Sequence, residues 1–409
     1  MTDLDVDSIR KLFPSLARTV EGRPAVFADA PGGTQVPATV VEAIASYLRT
    51  SNANEGGSFI TSEETGDVIV AARLGAGDFL GCDPGEIVFG PNMTTLAFTL
   101  SYSLARRLQP GDEVVVTRLD HDANIAPWLT AASDAGATVR WIDFDPADCT
   151  IELQSLDDAL GERTRFVAFS LASNAVGTVT NTRAIIEKAH AVGAIAIADA
   201  VHFAPHRLID VGALGADVLF CSPYKFFGPH MGVMFARREL LDSWVPWKVR
   251  PQDDVSPSRW EIGTRNHEAL AGFSACIDYI ATLGSVSGSR RERIVAAMQA
   301  IRRHEELLTR SFLEGIRAVD GIELYGIADS RRAAERTPTF ALRLEGRTPG
   351  EVTKALAGEG VFAWDGNYYA LEVMERLGLE DSGGAVRIGL CHYHSVAEVD
   401  YVLDCLRRL

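Results

Sequence analysis

Residues 216–232 read ADVLFCSPYKFFGPHMG, and this stretch indicates both the fold and the chemistry of the chain. The apolar run VLFC predicts a buried strand, which Pro223 ends because proline has no backbone N–H to give to a ladder. Lys225 follows at once, between a tyrosine and two phenylalanines. Such a lysine either lies on the surface over apolar neighbours, or is desolvated, which lowers the pKa of its amine and lets it form a Schiff base.

A second stretch favours the desolvated lysine. Residues 194–199, AIAIAD, predict an apolar strand that ends in Asp199, and Asp199 precedes Lys225 by 26 residues. That spacing is typical of one α/β repeat, and the carboxyl ends of such strands are where open α/β sheets bind ligands. An acid and a lysine at neighbouring strand ends suit pyridoxal phosphate (PLP). The lysine holds the cofactor, and the acid keeps the ring nitrogen protonated, so that the ring accepts electrons.

Composition sets limits on the class of protein. The 409 residues are 47% hydrophobic and 23% charged, which predicts a large core and two domains. A net charge of −16 argues against nucleic acid and anionic membranes as partners. The six cysteines are scattered without a CxxC pair, which indicates reduced thiols and no zinc site. The sequence has no signal-peptide core and no membrane-spanning run, so we expect a soluble, cytoplasmic protein with no metal.

Several separated motifs resemble, in the same order, those of the class V aminotransferase group of fold type I PLP enzymes, and within it the cysteine desulfurases. The resemblance runs from FADA at 27–30 to EVD at 398–400. It implies an α/β fold, in which a large domain holds a mainly parallel seven-stranded sheet between helices and a smaller C-terminal domain is α+β. The expected division is an N-terminal segment at 1–30 that packs with the small domain, a large cofactor-binding domain at 31–283 and the small domain at 284–409.

The resemblance also implies how the cofactor phosphate is held. A strand, a small polar loop and a helix follow one another around residue 90, which is the general design of an anion site. Asn92 and Met93 replace the usual Gly and Thr of the family's motif in this loop. The phosphate contacts that the resemblance implies are Thr94, Thr95, Ser222 and Tyr224.

A further phosphate contact is implied to come from another subunit. The segment RWEIGTRN at 259–266 resembles a family segment whose Gly-Thr pair reaches the phosphate of the neighbouring subunit. Gly263 and Thr264 are that pair here. The resemblance therefore implies a homodimer with shared active sites.

The residues around the cofactor ring follow from the same comparison. His121 fits the family histidine that stacks on the ring and helps move protons, and Asn174 of SNAVG fits the asparagine that contacts the ring hydroxyl. Three residues after Asp199, His202 stands where desulfurases usually carry a glutamine bonded to the ring oxygen. Because the charge of a histidine can change, the electronics of the ring can differ from those in desulfurases.

Arg387 is predicted to bind the substrate. It lies in an otherwise apolar stretch, AVRIGLC at 385–391, where an arginine is rarely without a function. It matches the family arginine that clamps the substrate carboxylate, a role that suits a planar, bidentate donor.

The pattern breaks at the residue that defines desulfurases. The stretch WDGNYYA at 364–370 places Tyr369 where they carry the nucleophilic cysteine and Trp364 where they carry an arginine. A tyrosine cannot supply the thiolate of a persulfide mechanism, and Cys391 lies in the following strand. Tyr369 or Tyr368 could act as acid, base or lid, or the three aromatic residues could only shape a pocket for a bulkier side chain.

What remains is a site that makes Cα carbanions from small α-amino acids, with Lys225 as the general base. We expect a desulfurase-like lyase that performs β-elimination without the persulfide cysteine. Transamination and epimerisation remain open, because both begin with the same carbanion. A non-catalytic protein that only binds the cofactor is disfavoured by the intact Lys225, Asp199 and Arg387.

Overall fold

The structure, a computed structural model, describes residues 4–284 and 287–409. Residues 1–3 and 285–286 belong to the predicted N-terminal segment and the predicted small domain, and they lie outside the described residues. None of the helices in the two described ranges is long and apolar enough to cross a membrane.

The described ranges contain fifteen β-strands. They are β1 (Thr19–Val20), β2 (Arg23–Pro24), β3 (Ile87–Gly90), β4 (Glu113–Thr117), β5 (Thr138–Ile142), β6 (Phe144–Asp145), β7 (Thr150–Ile151), β8 (Thr164–Ser170), β9 (Ile195–Asp199), β10 (Val218–Cys221), β11 (Gly232–Ala236), β12 (Ile322–Tyr325), β13 (Thr339–Leu344), β14 (Trp364–Gly366) and β15 (Ala385–Gly389).

The same ranges contain fourteen α-helices. They are α1 (Val6–Arg10), α2 (Ala38–Thr50), α3 (Ile60–Leu80), α4 (Met93–Ala105), α5 (Ala126–Ala135), α6 (Leu153–Ala159), α7 (Thr182–Ala191), α8 (Val211–Leu214), α9 (Arg238–Ser243), α10 (His267–Thr282), α11 (Arg290–Gly315), α12 (Pro349–Gly358), α13 (Leu371–Arg376) and α14 (Val396–Arg407).

Seven strands form the large sheet, in the order β3-β11-β10-β9-β8-β4-β5. Only β11 runs antiparallel to its neighbours within this sheet, and the other pairs are parallel. Along β4, Val115 belongs to one hydrophobic core while Val114 and Val116 belong to the core on the opposite face. This alternation places the sheet between two helical layers and explains why its strands are apolar on both faces. The predicted seven-stranded, mainly parallel sheet is confirmed.

A second sheet has four antiparallel strands in the order β12-β13-β15-β14. Its apolar face packs on α11, α12 and α14, and the rings of Phe312 and Phe340 stack there with centroids 3.9 Å apart. This confirms the predicted α+β part near the C-terminus. The N-terminal chain joins this part, because Asp29 forms a parallel bridge with Gly389. The boundaries at 30/31 and 283/284 remain predictions.

The order of the large sheet brings the predicted site together. Strands β4, β8, β9 and β10 all point the same way, so the loops that follow them meet at one edge. His121, Asn174, Asp199 and Lys225 each stand at or shortly after the end of one of these strands. The strand β15 of the smaller sheet carries Arg387 to the same place.

Candidate active site

A cavity of about 1240 Å³ lies at the carboxyl ends of the parallel strands. It is lined by all the predicted site residues except Gly263 and Thr264. The predicted residues in the lining are Thr94, Thr95, His121, Asn174, Asp199, His202, Ser222, Tyr224, Lys225, Trp364, Tyr368, Tyr369 and Arg387.

Lys225 ends a short 3₁₀ turn, Pro223–Lys225, directly after β10. Its Nζ donates to the carbonyl oxygen of Pro31 and lies 4.7 Å from the ring centroid of Tyr224. Burial, and then the charge of Arg387, lower the pKa of the amine to about 7. A large share of the amine is therefore unprotonated at neutral pH, which is the form that attacks carbonyl carbons and removes protons.

Asp199 is the last residue of β9 and lies in the middle of the sheet, in register with Ser170 on one side and Phe220 on the other. The backbone N–H of Val201 donates to its Oδ1 at 2.8 Å. Burial raises the pKa of Asp199 to about 7. A protonated ring nitrogen placed beside this carboxyl would favour its ionised form and offset the cost of burial.

His121 is held as a neutral ring with a defined tautomer. Its Nδ1 accepts a hydrogen bond from the backbone N–H of Ala123 at 3.0 Å, so the ring hydrogen is on Nε2. Burial, together with the charges of Lys225 and Arg387, lowers the pKa of His121 to about 4. The ring of Tyr369 stacks on that of His121 with a centroid distance of 5.6 Å and an angle of 23° between the planes.

Arg387 is a buried cation that does not use all of its hydrogen-bond donors within the described chain. It is paired with Trp364 across β14 and β15, and its guanidinium lies 4.3 Å from the ring centroid of Tyr368. Its Nη1 donates to the backbone oxygen of Asn174 at 3.0 Å, whereas its buried Nε has no partner among the described residues. Burial lowers the pKa of Arg387 to about 10, so the side chain stays protonated at neutral pH.

Tyr368 and Tyr369 form a strained turn at the cavity mouth. Their φ angles are +55° and +58°, and a non-glycine residue in this region costs about 1–3 kcal/mol. Three hydrogen bonds hold the turn: Asn174 Nδ2 donates to the Tyr368 carbonyl at 3.0 Å, Asp122 N to the Tyr369 carbonyl at 2.7 Å, and Tyr369 N to Asn367 Oδ1 at 3.1 Å.

The two tyrosine side chains point in different directions. The hydroxyl of Tyr368 donates to the carbonyl of Ala385, and burial raises its pKa far above the usual range. That hydroxyl is therefore engaged, and the ring of Tyr368 packs against the guanidinium of Arg387. The side chain of Tyr369 is 73% exposed, and no hydrogen bond engages its hydroxyl within the described chain. Of the two, Tyr369 alone keeps a free hydroxyl for acid–base work.

The N-terminus of α4 faces the cavity with Thr94 and Thr95. Asn92 caps this helix, because its side chain accepts from the Thr95 N–H at 2.8 Å. Asn92, which stands where the family usually has Gly, thus caps the N-terminus of α4. The hydroxyls of Thr94 and Thr95, with that of buried Ser222 directly after β10, line the cavity and are donors of the kind that a phosphate requires.

Comparison with known proteins identifies the family. Residues 26–402 match the family model described as Aminotransferase class-V. This chain belongs to the class V aminotransferases. An uncharacterised protein of Mycobacterium tuberculosis is 33% identical over 99% of both chains. A probable cysteine desulfurase of Mycobacterium leprae is 31% identical over 99% of this chain, which spans 65% of that relative's length.

A solved structure agrees with the family. The apo structure of cysteine desulfurase from Thermococcus onnurineus NA1 covers 100% of this chain, and this chain covers 98% of it. The TM-score is 0.89 and the identity 25%. The protein is accordingly a PLP-dependent enzyme of fold type I, and the predicted family, fold class and cofactor are confirmed.

The cavity fits the cofactor of the class V aminotransferases by its own chemistry. A buried amine, a buried carboxyl and a helix N-terminus face one space, and each matches one part of PLP: the aldehyde, the ring nitrogen and the phosphate. Asn174 adds a buried Oδ1 that has no partner among the described residues. Such an atom is costly to bury unless a ligand bonds to it.

Gly263 and Thr264 lie outside the cavity of their own chain. Both are exposed, in the loop between a short turn at Ser258–Trp260 and α10. Within one subunit the structure does not bring them to the site. Their predicted contact with the phosphate requires a second class V subunit.

Asp29 is a residue that the sequence does not single out. Its Oδ1 is buried without a partner in the described chain. Burial raises its pKa to about 6, against the charges of Arg387 and Lys225. Asp29 lies in the FADA stretch that begins the resemblance, but no spacing in the sequence places it beside two residues more than 190 positions away.

Proposed function

We propose that the protein is a PLP-dependent lyase that removes a β-substituent from a small α-amino acid and forms no persulfide. The observation that carries this proposal is the pairing of Tyr369 with His121 in a cavity whose described lining contains no cysteine. Cys391 is buried, and burial raises the pKa of its thiol far above the usual range. Among the described lining residues, sulfur transfer finds no thiolate as acceptor, whereas Lys225, Asp199 and Arg387 all line the cavity.

Each of these side chains has a defined task in the proposal. The Arg387 guanidinium binds the substrate carboxylate, with its unpartnered Nε as one donor. Lys225 would hold the cofactor through its amine, and as the free amine it would take the proton from Cα. Asp199 would keep the ring nitrogen protonated, and His121 would pack against the ring. Bound PLP supplies an aldehyde for the amine and a ring that accepts the electron pair left at Cα.

Other contacts to the cofactor are part of the same proposal. Thr94, Thr95, Ser222 and Tyr224 would bind its phosphate, and Asn174 and His202 would contact its ring oxygen. All of them line the cavity, which supports these assignments.

The charges of the lining favour a neutral β-substituent. Among the described lining residues, the lysine and arginine side chains are Lys225 and Arg387 alone, and both have tasks already. Asp122 and Asp365 also line the cavity. A second carboxylate or a phosphate on the substrate side chain would therefore meet no fixed cation and two acids. This disfavours transamination that uses a dicarboxylic amino donor.

Transamination with other donors and epimerisation are the alternatives, because both need the same removal of the Cα proton by Lys225. The exposed hydroxyl of Tyr369 is the feature that suits epimerisation, since that reaction needs a second group to return the proton. A protein that binds the cofactor without turnover is the least supported function, given the depressed pKa of Lys225.

The proposal includes a homodimer with shared sites. Gly263 and Thr264 are exposed, and the preceding segment exposes Trp247 and Val255 at 59% and 72%. Large apolar side chains that are exposed in one segment favour an interface between subunits. We also keep a cytoplasmic location in the proposal, because all six cysteines are free thiols.

The test is an absorbance scan of the purified holoenzyme, repeated with L-cysteine, L-alanine, other neutral amino acids and glutamate, with analysis of the products. Pyruvate together with the released β-substituent supports the lyase. A keto acid that keeps the whole side chain indicates transamination, and a D-amino acid indicates epimerisation. Absence of a visible cofactor band after addition of PLP contradicts the proposal.

A further inference from the structure

His202 is fixed by two threonines that lie far from it in the sequence. Its Nε2 is 3.1 Å from the hydroxyl of Thr337 and 3.1 Å from the hydroxyl of Thr339. All three residues are buried, and His202 lines the cavity. Since Nε2 is occupied by the threonines, Nδ1 is the ring nitrogen that is left to face the cavity.

The two hydroxyls differ in where they can donate. The hydroxyl of Thr337 has a second acceptor, the carbonyl oxygen of Gly177 at 3.2 Å. For the hydroxyl of Thr339, His202 Nε2 is the acceptor found among the described residues. A buried O–H without an acceptor costs roughly 1–3 kcal/mol, so Thr339 donates to Nε2. Nε2 then has no hydrogen of its own.

The ring of His202 carries one hydrogen. Burial lowers the pKa of His202 well below its ordinary value, and the neighbouring charges of His206, Arg387 and Lys225 act in the same direction. Behind it, His206 is bonded to Glu305 at 2.9 Å. A neutral ring that accepts at Nε2 must hold its hydrogen at Nδ1, on the cavity side.

We propose that Thr339 sets the tautomer of His202, so that Nδ1–H donates a hydrogen bond to the ring oxygen of the cofactor. This inference rests on the proposed function, because it requires PLP in this cavity with its ring oxygen beside His202. Thr339 is then a positioning residue. A glutamine side chain always has N–H donors in its amide, whereas a histidine has a donor at Nδ1 only in one tautomer. Thr339 fixes that tautomer in His202.

The experiment compares two matched substitutions, Thr339→Val and Thr337→Val, in the holoenzyme. The readouts are the pH midpoint of the change in the visible absorbance of the bound cofactor and the Kd for PLP. In Thr339→Val the remaining hydroxyl of Thr337 accepts from Nε2–H, so the lone pair of Nδ1 faces the ring oxygen. We expect the Kd to rise roughly tenfold. The midpoint should rise as well, because the lost donor favoured the state with fewer protons.

In Thr337→Val, Thr339 still donates to Nε2. The Kd for PLP should therefore stay within about twofold of the wild type, and the pH midpoint should not shift. Thr339→Ser keeps the hydroxyl and should preserve the wild-type midpoint, whereas Thr339→Ala should shift it, and this second pair decides the matter if valine prevents folding. In a His202→Gln background the amide supplies its own donor, so adding Thr339→Val should move the midpoint no further.

Equal midpoints in Thr339→Val, Thr337→Val and the wild type overturn the tautomer assignment. The same holds if both variants shift equally, since that result indicates general damage to the cavity. A wild type that binds PLP and releases pyruvate keeps the proposed function even then. A wild type that binds PLP but gives no elimination removes the proposed lyase and leaves the tautomer test intact.

Discussion

The side-chain amide of Asn174 donates to the backbone carbonyl of Tyr368 at 3.0 Å, and this bond joins the cofactor side of the cavity to the turn at its mouth. The same asparagine accepts from Arg387 through its backbone oxygen. One residue in the loop after β8 therefore contacts both Arg387, the proposed carboxylate anchor, and the turn formed by Tyr368 and Tyr369.

Tyr368→Phe should lower stability with little change in kcat, and Tyr369→Phe should lower kcat with little change in stability. The first removes the hydrogen bond to the buried Ala385 carbonyl, so we expect the free energy of unfolding to fall by about 1 kcal/mol and kcat to change little. The second removes an exposed hydroxyl, so stability should stay the same, whereas kcat should fall roughly 100-fold if that hydroxyl transfers a proton. Denaturant unfolding and steady-state kinetics give both quantities. An unchanged kcat in Tyr369→Phe would leave that residue with a role in shape alone.

Arg387→Lys should raise KM for the amino acid by roughly tenfold or more and change kcat less, because it removes a bidentate clamp used throughout the reaction. The measurement is steady-state kinetics with the β-elimination substrate. Arg343→Lys is the matched control, since Arg343 lies in the same small sheet and bonds to the Gly384 and Ser382 carbonyls outside the cavity. Equal changes in KM for both variants would contradict the assignment of Arg387.

Asp199→Asn should lower kcat far more than it weakens cofactor binding. A neutral amide cannot hold the ring nitrogen protonated, so the electron pair at Cα loses its acceptor. We expect a fall in kcat of roughly 100-fold or more and a change in the Kd for PLP of less than about tenfold. Parallel measurement of kcat and of PLP release decides the matter. Equal losses in the two would mean that Asp199 acts mainly in binding.

The rate of PLP attachment to the cofactor-free protein should increase with pH through about 7, the lowered pKa of Lys225. The sign follows from the chemistry, because only the unprotonated amine attacks the aldehyde, and its fraction rises as the pH passes the pKa. Stopped-flow absorbance between pH 5.5 and 9 measures the profile. A midpoint near 10, the ordinary value for lysine, would show that the amine is not desolvated in the protein.

The sequence predicts those parts of the site that depend on strand ends. Pro223 ends β10, Asp199 ends β9, and Lys225 follows within one turn, because the ladder and the crossover helices fix these positions locally. Family, fold and cofactor followed from these motifs.

Other parts of the site depend on contacts that sequence spacing does not encode. Tyr368 and Tyr369 are adjacent, and their left-handed backbone alone decides which one faces Arg387 and which one faces His121. Thr339, the first residue of β13, contacts His202 across 137 positions of sequence. Tertiary packing makes these pairs, so a single sequence without aligned relatives gives no signal for them.

The proposed base and the proposed carboxylate anchor come from different sheets. Lys225, the proposed base at Cα, lies in the turn after a strand of the seven-stranded sheet, and Arg387, the proposed carboxylate anchor, is a residue of the four-stranded one. The distance between the Lys225 amine and the Arg387 guanidinium thus depends on how the two sheets pack. A substitution in the core between the two sheets would therefore change this distance, and with it the substrates that the site accepts, without altering a residue of the cavity wall.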